Sequence, residues 1–111
     1  MTAKQTIRVA WTRTAEEDLE GIVDFIADDS VDAALAVFAR IRERAATLNI
    51  FPDKGRVVPE LFQHGMVQYR ELILSPWRII YRVDGGTVYV TAIFYSRRNL
   101  EDMLLERLSR V

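Results

Sequence analysis

Between Val67 and Tyr95 the chain carries three runs rich in β-branched and aromatic residues, separated only by Ser75-Pro76 and Gly85-Gly86. Connections this short cannot carry a crossover. The runs Val67–Leu74, Trp77–Asp84 and Thr87–Tyr95 must therefore be neighbouring antiparallel strands. In the middle run, alternation puts Trp77, Ile79, Tyr81 and Val83 on one face and Arg78, Ile80 and Arg82 on the other. A meander of this kind needs a cover for its apolar side, and the rest of the chain has to supply it.

The first half has the pattern of that cover. Residues 7–13 alternate, with Ile7, Val9 and Trp11 on one face, and read as a first strand. Thr14 with Glu17 has capping-box spacing. Ala15, Leu19, Ile22, Val23 and Ile26 then form the stripe of a helix over about 15–27, and Glu16, Glu17, Asp18, Glu20 and Asp24 read as its solvated acidic face. Ser30 can cap a second helix with the stripe Val31, Ala34, Leu35, Phe38, Ile41, Ala45 and Leu48, ended by Phe51-Pro52. Arg40, Arg42, Glu43 and Arg44 read as its solvated side. So short a break between the helices makes an antiparallel hairpin. Residues 52–66 are rich in chain breakers and read as a loop, with Val57, Val58, Leu61 and Phe62 tucked toward the core. Leu100, Met103, Leu104 and Leu108 have the spacing of a short terminal helix. The expected fold is α+β: an N-terminal strand and an αα-hairpin on a four-stranded, mostly antiparallel sheet, closed by that helix. At 111 residues the chain is expected to be one domain, 1–111.

Composition narrows the chemistry. The absence of cysteine removes thiolate catalysis, disulfides and thiolate-bound metals, and the lone histidine, His64, removes histidine pairs. No nucleotide-loop or metal motif is present, so no cofactor is expected. No apolar run is long enough to span a membrane, and the opening MTAKQT lacks a signal-peptide core, so a cytoplasmic protein is expected. The formal net charge is −1, but it is unevenly spread. Residues 1–53 hold ten acidic and six basic side chains, and residues 54–98 hold seven basic and three acidic ones.

That basic half contains the candidate site. Arg70, Arg78 and Arg82 lie on consecutive strands and Arg97-Arg98 follows the last one. Guanidinium forks gathered on one sheet face suit phosphate, and Arg70 and Arg78 are expected side by side. The alternative is structural: strand arginines that pair with Glu71 or Asp84. Tyr69, Trp77, Tyr81, Tyr89 and Tyr95 interleave with the arginines, a pattern that suits base stacking as well as strand packing. Trp77 and Tyr81 are expected in the core, and Tyr95 is the tyrosine expected to have a surface role. His64 reads as a loop residue.

The run Tyr69-Arg70-Glu71-Leu72-Ile73-Leu74-Ser75-Pro76-Trp77-Arg78-Ile79-Ile80-Tyr81-Arg82-Val83 resembles the RelE/ParE superfamily of type II toxin–antitoxin toxins. Trp11-Thr12-Arg13-Thr14-Ala15 with Glu17-Asp18-Leu19, Gly55-Arg56 with Pro59-Glu60-Leu61, and Tyr95-Ser96-Arg97-Arg98 are also similar to it. The resemblance spans about residues 7–104. It implies a compact toxin neutralised by a cognate antitoxin whose C-terminal segment wraps it. ParE-like members block DNA gyrase and are not hydrolases. RelE-like members cut mRNA on the ribosome without a metal.

Carried over by residue, the RelE-like basic positions are met at Arg70, at Arg78 and at Arg97 or Arg98. A second basic position falls on Leu72, and the tyrosine of the terminal segment falls near Met103, which cannot exchange a proton. Tyr95 and Glu71 are the groups left to do so. A sequence pI of about 5.8 also suits an RNA-phosphate environment poorly. The resemblance therefore favours a gyrase inhibitor. The alternatives are a ribosome-dependent mRNA endonuclease and a non-toxic member that only forms a complex.

Overall fold

In the computed structural model, residues 7–96 together with Asp102 and Glu106 are described. Five strands form one sheet in the order β1-β5-β4-β3-β2. β1 (Arg8–Trp11) runs parallel to β5 (Thr87–Tyr95) at one edge. β5, β4 (Trp77–Asp84) and β3 (Tyr69–Leu74) make the expected meander, and β4 and β5 have the bounds read from the sequence. The Ser75-Pro76 peptide between β3 and β4 is cis. Gly85 and Gly86 both adopt positive φ, the backbone that a two-residue hairpin of this hand requires.

The fourfold sheet expected from sequence is one strand short. The segment 52–66 is not a plain loop: Arg56–Val57 forms a two-residue edge strand, β2, paired with Glu71 and Arg70 of β3. Pro59–Phe62 then makes a one-turn helix. Two-residue strands and single turns carry no periodicity, so they are invisible to pattern reading.

The hairpin is formed by α1 (Arg13–Ala27) and α2 (Val31–Ala46), the latter continued by a tight helical turn over Thr47–Asn49. Ser30 caps α2 as expected, accepting from the Ala33 N–H. For α1 the cap is Thr12, not Thr14: the Thr12 hydroxyl accepts from the Ala15 N–H at 3.2 Å. The Thr12 N–H bonds to Val90 of β5, so one residue ends the strand and starts the helix.

The hairpin covers one face of the sheet, called here the upper face. Ala15, Leu19, Ile41, Ala45 and Leu48 pack there on Leu72, Ile79, Tyr81, Val88, Val90 and Ile93. On the lower face a smaller core joins Val58 and Leu61 to Ile80, Ala92 and Phe94. The one-turn helix Pro59–Phe62 (α3 from here on) thus covers part of a second side. A bulge lets β5 serve both cores. Val90 pairs with Tyr81 and Ala92 with Ile80, leaving Thr91 between them and reversing the alternation of β5. The Thr91 hydroxyl donates to Ile80 O, Thr12 donates to Thr91 O, and the Asp18 carboxylate accepts from the Ile93 N–H at 3.0 Å.

Two readings of the hairpin's surface are corrected. The acidic face of α1 is not simply solvated: Asp18 reaches β5, and Glu16 holds Arg42 through two bonds of 2.7 and 3.0 Å. Arg42 lies over the Trp11 ring at 4.2 Å and near Phe38 at 5.2 Å. The α2 stripe is also only half buried. Ala34, Ile41, Ala45 and Leu48 are buried, while Val31, Leu35 and Phe38 are exposed. The expected terminal helix lies outside the described residues apart from Asp102 and Glu106, which have helical geometry.

Replacing Thr12 by Ala is expected to lower stability by about 1 kcal/mol, the usual worth of such a cap, and Thr14→Ala should change it by less than about 0.5 kcal/mol. Urea denaturation midpoints of the two variants distinguish the caps.

Candidate functional site

Direct cross-strand partners share a face, as do residues two apart on a strand. Register therefore decides what Arg70 and Arg78 can do together. Arg70 pairs with Tyr81, an upper-face residue, while Arg78 pairs with Ile73 and alternates with Ile80, a lower-face residue. The two arginines point to opposite sides of the sheet. The expectation that they lie side by side is overturned, because adjacency in a hairpin is set by register and not by a short turn.

On the lower face Arg78 is held by two acids. Its Nε donates to Glu71 Oε1 at 2.5 Å and its Nη2 to Glu71 Oε2 at 3.0 Å. Its two terminal nitrogens also grip Glu60 of α3, at 2.7 and 2.8 Å. Glu71 is only 1% exposed and Arg78 7%. Arg56 completes the group, donating from Nε to Glu71 Oε2 at 2.7 Å. Arg78 is therefore not a guanidinium free to meet phosphate; the structural alternative, a strand arginine paired with Glu71, holds for it. It is the tie between β4, β3 and α3. Glu71, one of the groups considered for proton exchange, is buried between two guanidinium groups.

The electrostatics follow from this enclosure. Hydrogen bonding by Arg78 holds the Glu60 carboxyl below its ordinary 4.5, against the opposing effect of burial. Burial would lower the pKa of Arg78, but its bonds to Glu60 and Glu71 outweigh that and raise it. The arginine is charged at every accessible pH.

On the upper face Arg70 donates from Nη1 to Gly55 O at 2.8 Å. Tyr81 is buried as expected. Its hydroxyl accepts from the Gly55 N–H at 2.9 Å and donates to Pro52 O at 2.7 Å. Burial raises the Tyr81 pKa, so it stays a neutral phenol. Gly55 is the one glycine that contact demands. A Cβ there would meet Glu71 O at 2.5 Å and Tyr81 Oη at 2.7 Å. Both arginines and Tyr81 thus pin the 52–60 segment to the sheet from its two sides.

Of the remaining candidates, Tyr95 ends β5 partly exposed, opposite Trp77. Arg97 and Arg98 lie outside the described residues, as does Met103. His64 is exposed in the turn after α3. No group of three or more metal-ligating side chains occurs among the described residues. Nor is any described helix long and apolar enough to cross a membrane. Sequence reasoning missed the roles of Glu60 and Arg56. The only signal for them was the Gly55-Arg56 and Pro59-Glu60-Leu61 matches, which named positions without a partner.

The structure aligns with the chromosomal ParDE toxin–antitoxin system from Pseudomonas aeruginosa at a TM-score of 0.65 and 25% identity, covering 81% of this chain and 96% of that one. It aligns with the RelBE2 toxin–antitoxin complex of Mycobacterium tuberculosis at 0.61 and 18% identity, covering 82% and 92%. In sequence it is 32% identical over 92 residues to Toxin RelE2 of Caulobacter vibrioides, covering 82% of this chain and 97% of that one. It is 32% identical over 98 residues to Toxin ParE3 of the same organism, covering 87% and 94%. The model of the ParE toxin of the type II toxin–antitoxin system parDE matches residues 9–100. The chain belongs to this family and is a toxin of the RelE/ParE superfamily.

Arg78→Ala is expected to destabilise the fold by about 3 kcal/mol, because it leaves the buried Glu71 carboxylate with Arg56 alone and removes the partner of Glu60. Adding Glu71→Gln should restore part of that loss. A thermal shift within experimental error for the single variant would contradict the tie. Glu60 has a depressed folded-state pKa, so its contribution is complete above about pH 4.5 and is lost as the pH falls through the lower folded value. Glu60→Gln should therefore flatten the acid limb of a stability–pH curve below 4.5.

Proposed function

We propose that this toxin acts as a gyrase inhibitor and not as a nuclease, and that a cognate antitoxin neutralises it. The observation that carries the reading is the engagement of Arg78 by Glu60 and Glu71. A nuclease needs guanidinium groups free to meet phosphate, with a proton-exchanging group within reach. Of the two matching arginines among the described residues, one is saturated by carboxylates. The other, Arg70, lies across the sheet and is spent on a backbone carbonyl. Leu72, at the second basic position, is buried in the upper core. These residues do structural work, so toxicity by binding a target protein is the simpler reading.

The antitoxin reading is supported by the hairpin's outer surface. Val31, Leu35 and Phe38 repeat along α2 at helical spacing and are exposed, and Phe25 near the end of α1 is 80% exposed. An apolar ridge of that kind suits the apolar face of an amphipathic segment. The structural neighbours are toxin–antitoxin systems.

The purified chain is expected to stop supercoiling by DNA gyrase, or to trap cleaved DNA on it. Primer extension on translated message after induction should show no new ends within codons. Cuts within codons, with gyrase unaffected at micromolar toxin, would replace this reading with the endonuclease.

A further inference from the structure

The outer face of α2 is apolar over most of its length and open to solvent. Val31, Leu35 and Phe38 are large exposed side chains, and Ala33, Ala36 and Ala39 are exposed beside them. Two charges interrupt this face. Asp32 and Arg40 are both exposed, and among the described residues neither has an ion-pair partner. They stand four residues either side of Ala36, with opposite signs. Their neighbours repeat the symmetry: Ala33 and Ala39 lie three residues from Ala36, and Leu35 and Val37 lie one. The symmetry fails only at two residues, where Ala34 is buried and Phe38 is exposed. At 3.6 residues per turn, Asp32, Ala36, Ala39 and Arg40 fall within about 100° of one another, with Leu35 at their border.

We propose that this face is an interface between two copies of the chain, which pack α2 against α2 antiparallel about a two-fold axis at Ala36. A two-fold makes residue i of one copy meet residue j of the other, and j meet i. In this register Asp32 meets Arg40 of the second copy, and the same pair recurs about 12 Å away on the far side of the axis. A different partner has to match these charges in order, whereas a second copy does so by symmetry. Parallel packing sets Asp32 against Asp32 and Arg40 against Arg40, so like charges reject it. The alanines let the helices approach closely at the crossing, while Val31, Leu35 and Phe38 lose water along its border. One contact opposes the pairing: exposed Glu43 approaches Asp29 of the second copy. A helix of 16 residues is about 24 Å long, and a contact of that length falls short of the about 800 Å² per partner of a stable complex. The association is therefore weak, in the micromolar range. The face shares Val31, Leu35 and Phe38 with the ridge assigned above to the antitoxin, so the two occupants exclude each other. The dimer rests on the symmetry of α2 and not on the antitoxin reading.

The test is sedimentation equilibrium of the purified full chain at low salt, from micromolar to millimolar concentration. A concentration-dependent monomer–dimer equilibrium is expected. Asp32→Arg and Arg40→Asp should each weaken it about tenfold, because symmetry counts each change twice and turns attraction into repulsion. Combining the two exchanges should restore the affinity to within about threefold of the parent, a recovery that no unfolded variant can mimic. Ala36→Glu should abolish the dimer, and Glu43→Gln should tighten it. Val67→Ser, exposed ahead of β3, should leave it unchanged. A monomer at every concentration overturns the proposal. So does a dimer that survives Ala36→Glu, or one that the combined exchange fails to restore. The assay contains neither gyrase nor antitoxin, so its failure leaves both earlier readings standing, and their failure leaves the dimer standing.

Discussion

A carboxylate buried as completely as that of Glu71 cannot remain ionised alone, and its need for partners organises the lower half of the molecule. Arg78 supplies one partner from β4 and Arg56 another from β2. Arg78 then has donors left over, and Glu60 takes them. That last contact seats α3 on the sheet and brings Val58 and Leu61 onto Ile80 and Phe94. A two-residue strand and a single helical turn have little stability of their own. They persist because ion pairs and a small apolar core hold them down together.

The bulge at Thr91 is the second organising device. Without it, the alternation of β5 would send Ile93 to the lower face and Phe94 to the upper one. With it, Val90 and Ile93 both meet the hairpin, while Ala92 and Phe94 meet α3. The ladder groups it disturbs are served by side chains from the start of α1 and from the bulge residue itself: Thr12, Asp18 and Thr91. Helix placement and sheet irregularity are therefore one feature. The two faces also differ in kind. The upper face is closed by the helices, whose own outer ridge is apolar. Among the described residues, the lower face is covered by α3 over Ile80, Ala92 and Phe94.

Membership in the ParE toxin family fits this division. Among the described residues, the arginines that a nuclease reading would recruit, Arg70 and Arg78, hold the 52–60 segment in place, through Gly55 on one side and Glu60 on the other. Among the described residues, the exposed apolar side chains of the hairpin, Phe25, Val31, Leu35 and Phe38, lie apart from these ion pairs.

How much of this was legible follows from the range over which each feature acts. The meander, the hairpin, the Ser30 cap and the burial of Tyr81 follow from spacing within single elements, because periodicity and turn chemistry are local, while Trp77, expected in the core beside Tyr81, packs against it only partly buried. Register was not legible, and with it went the placement of Arg70 against Arg78. A slip of one residue leaves every local pattern unchanged yet exchanges the faces. The same limit hid the exposure of Val31, Leu35 and Phe38, whose stripe is apolar whether or not the sheet reaches it. The sequence by itself determined the four longer strands, the two helices of the hairpin and the family they form, but not β2 or α3. Only the tertiary structure decided which acid meets which arginine, because that depends on distances between strands that no local pattern encodes.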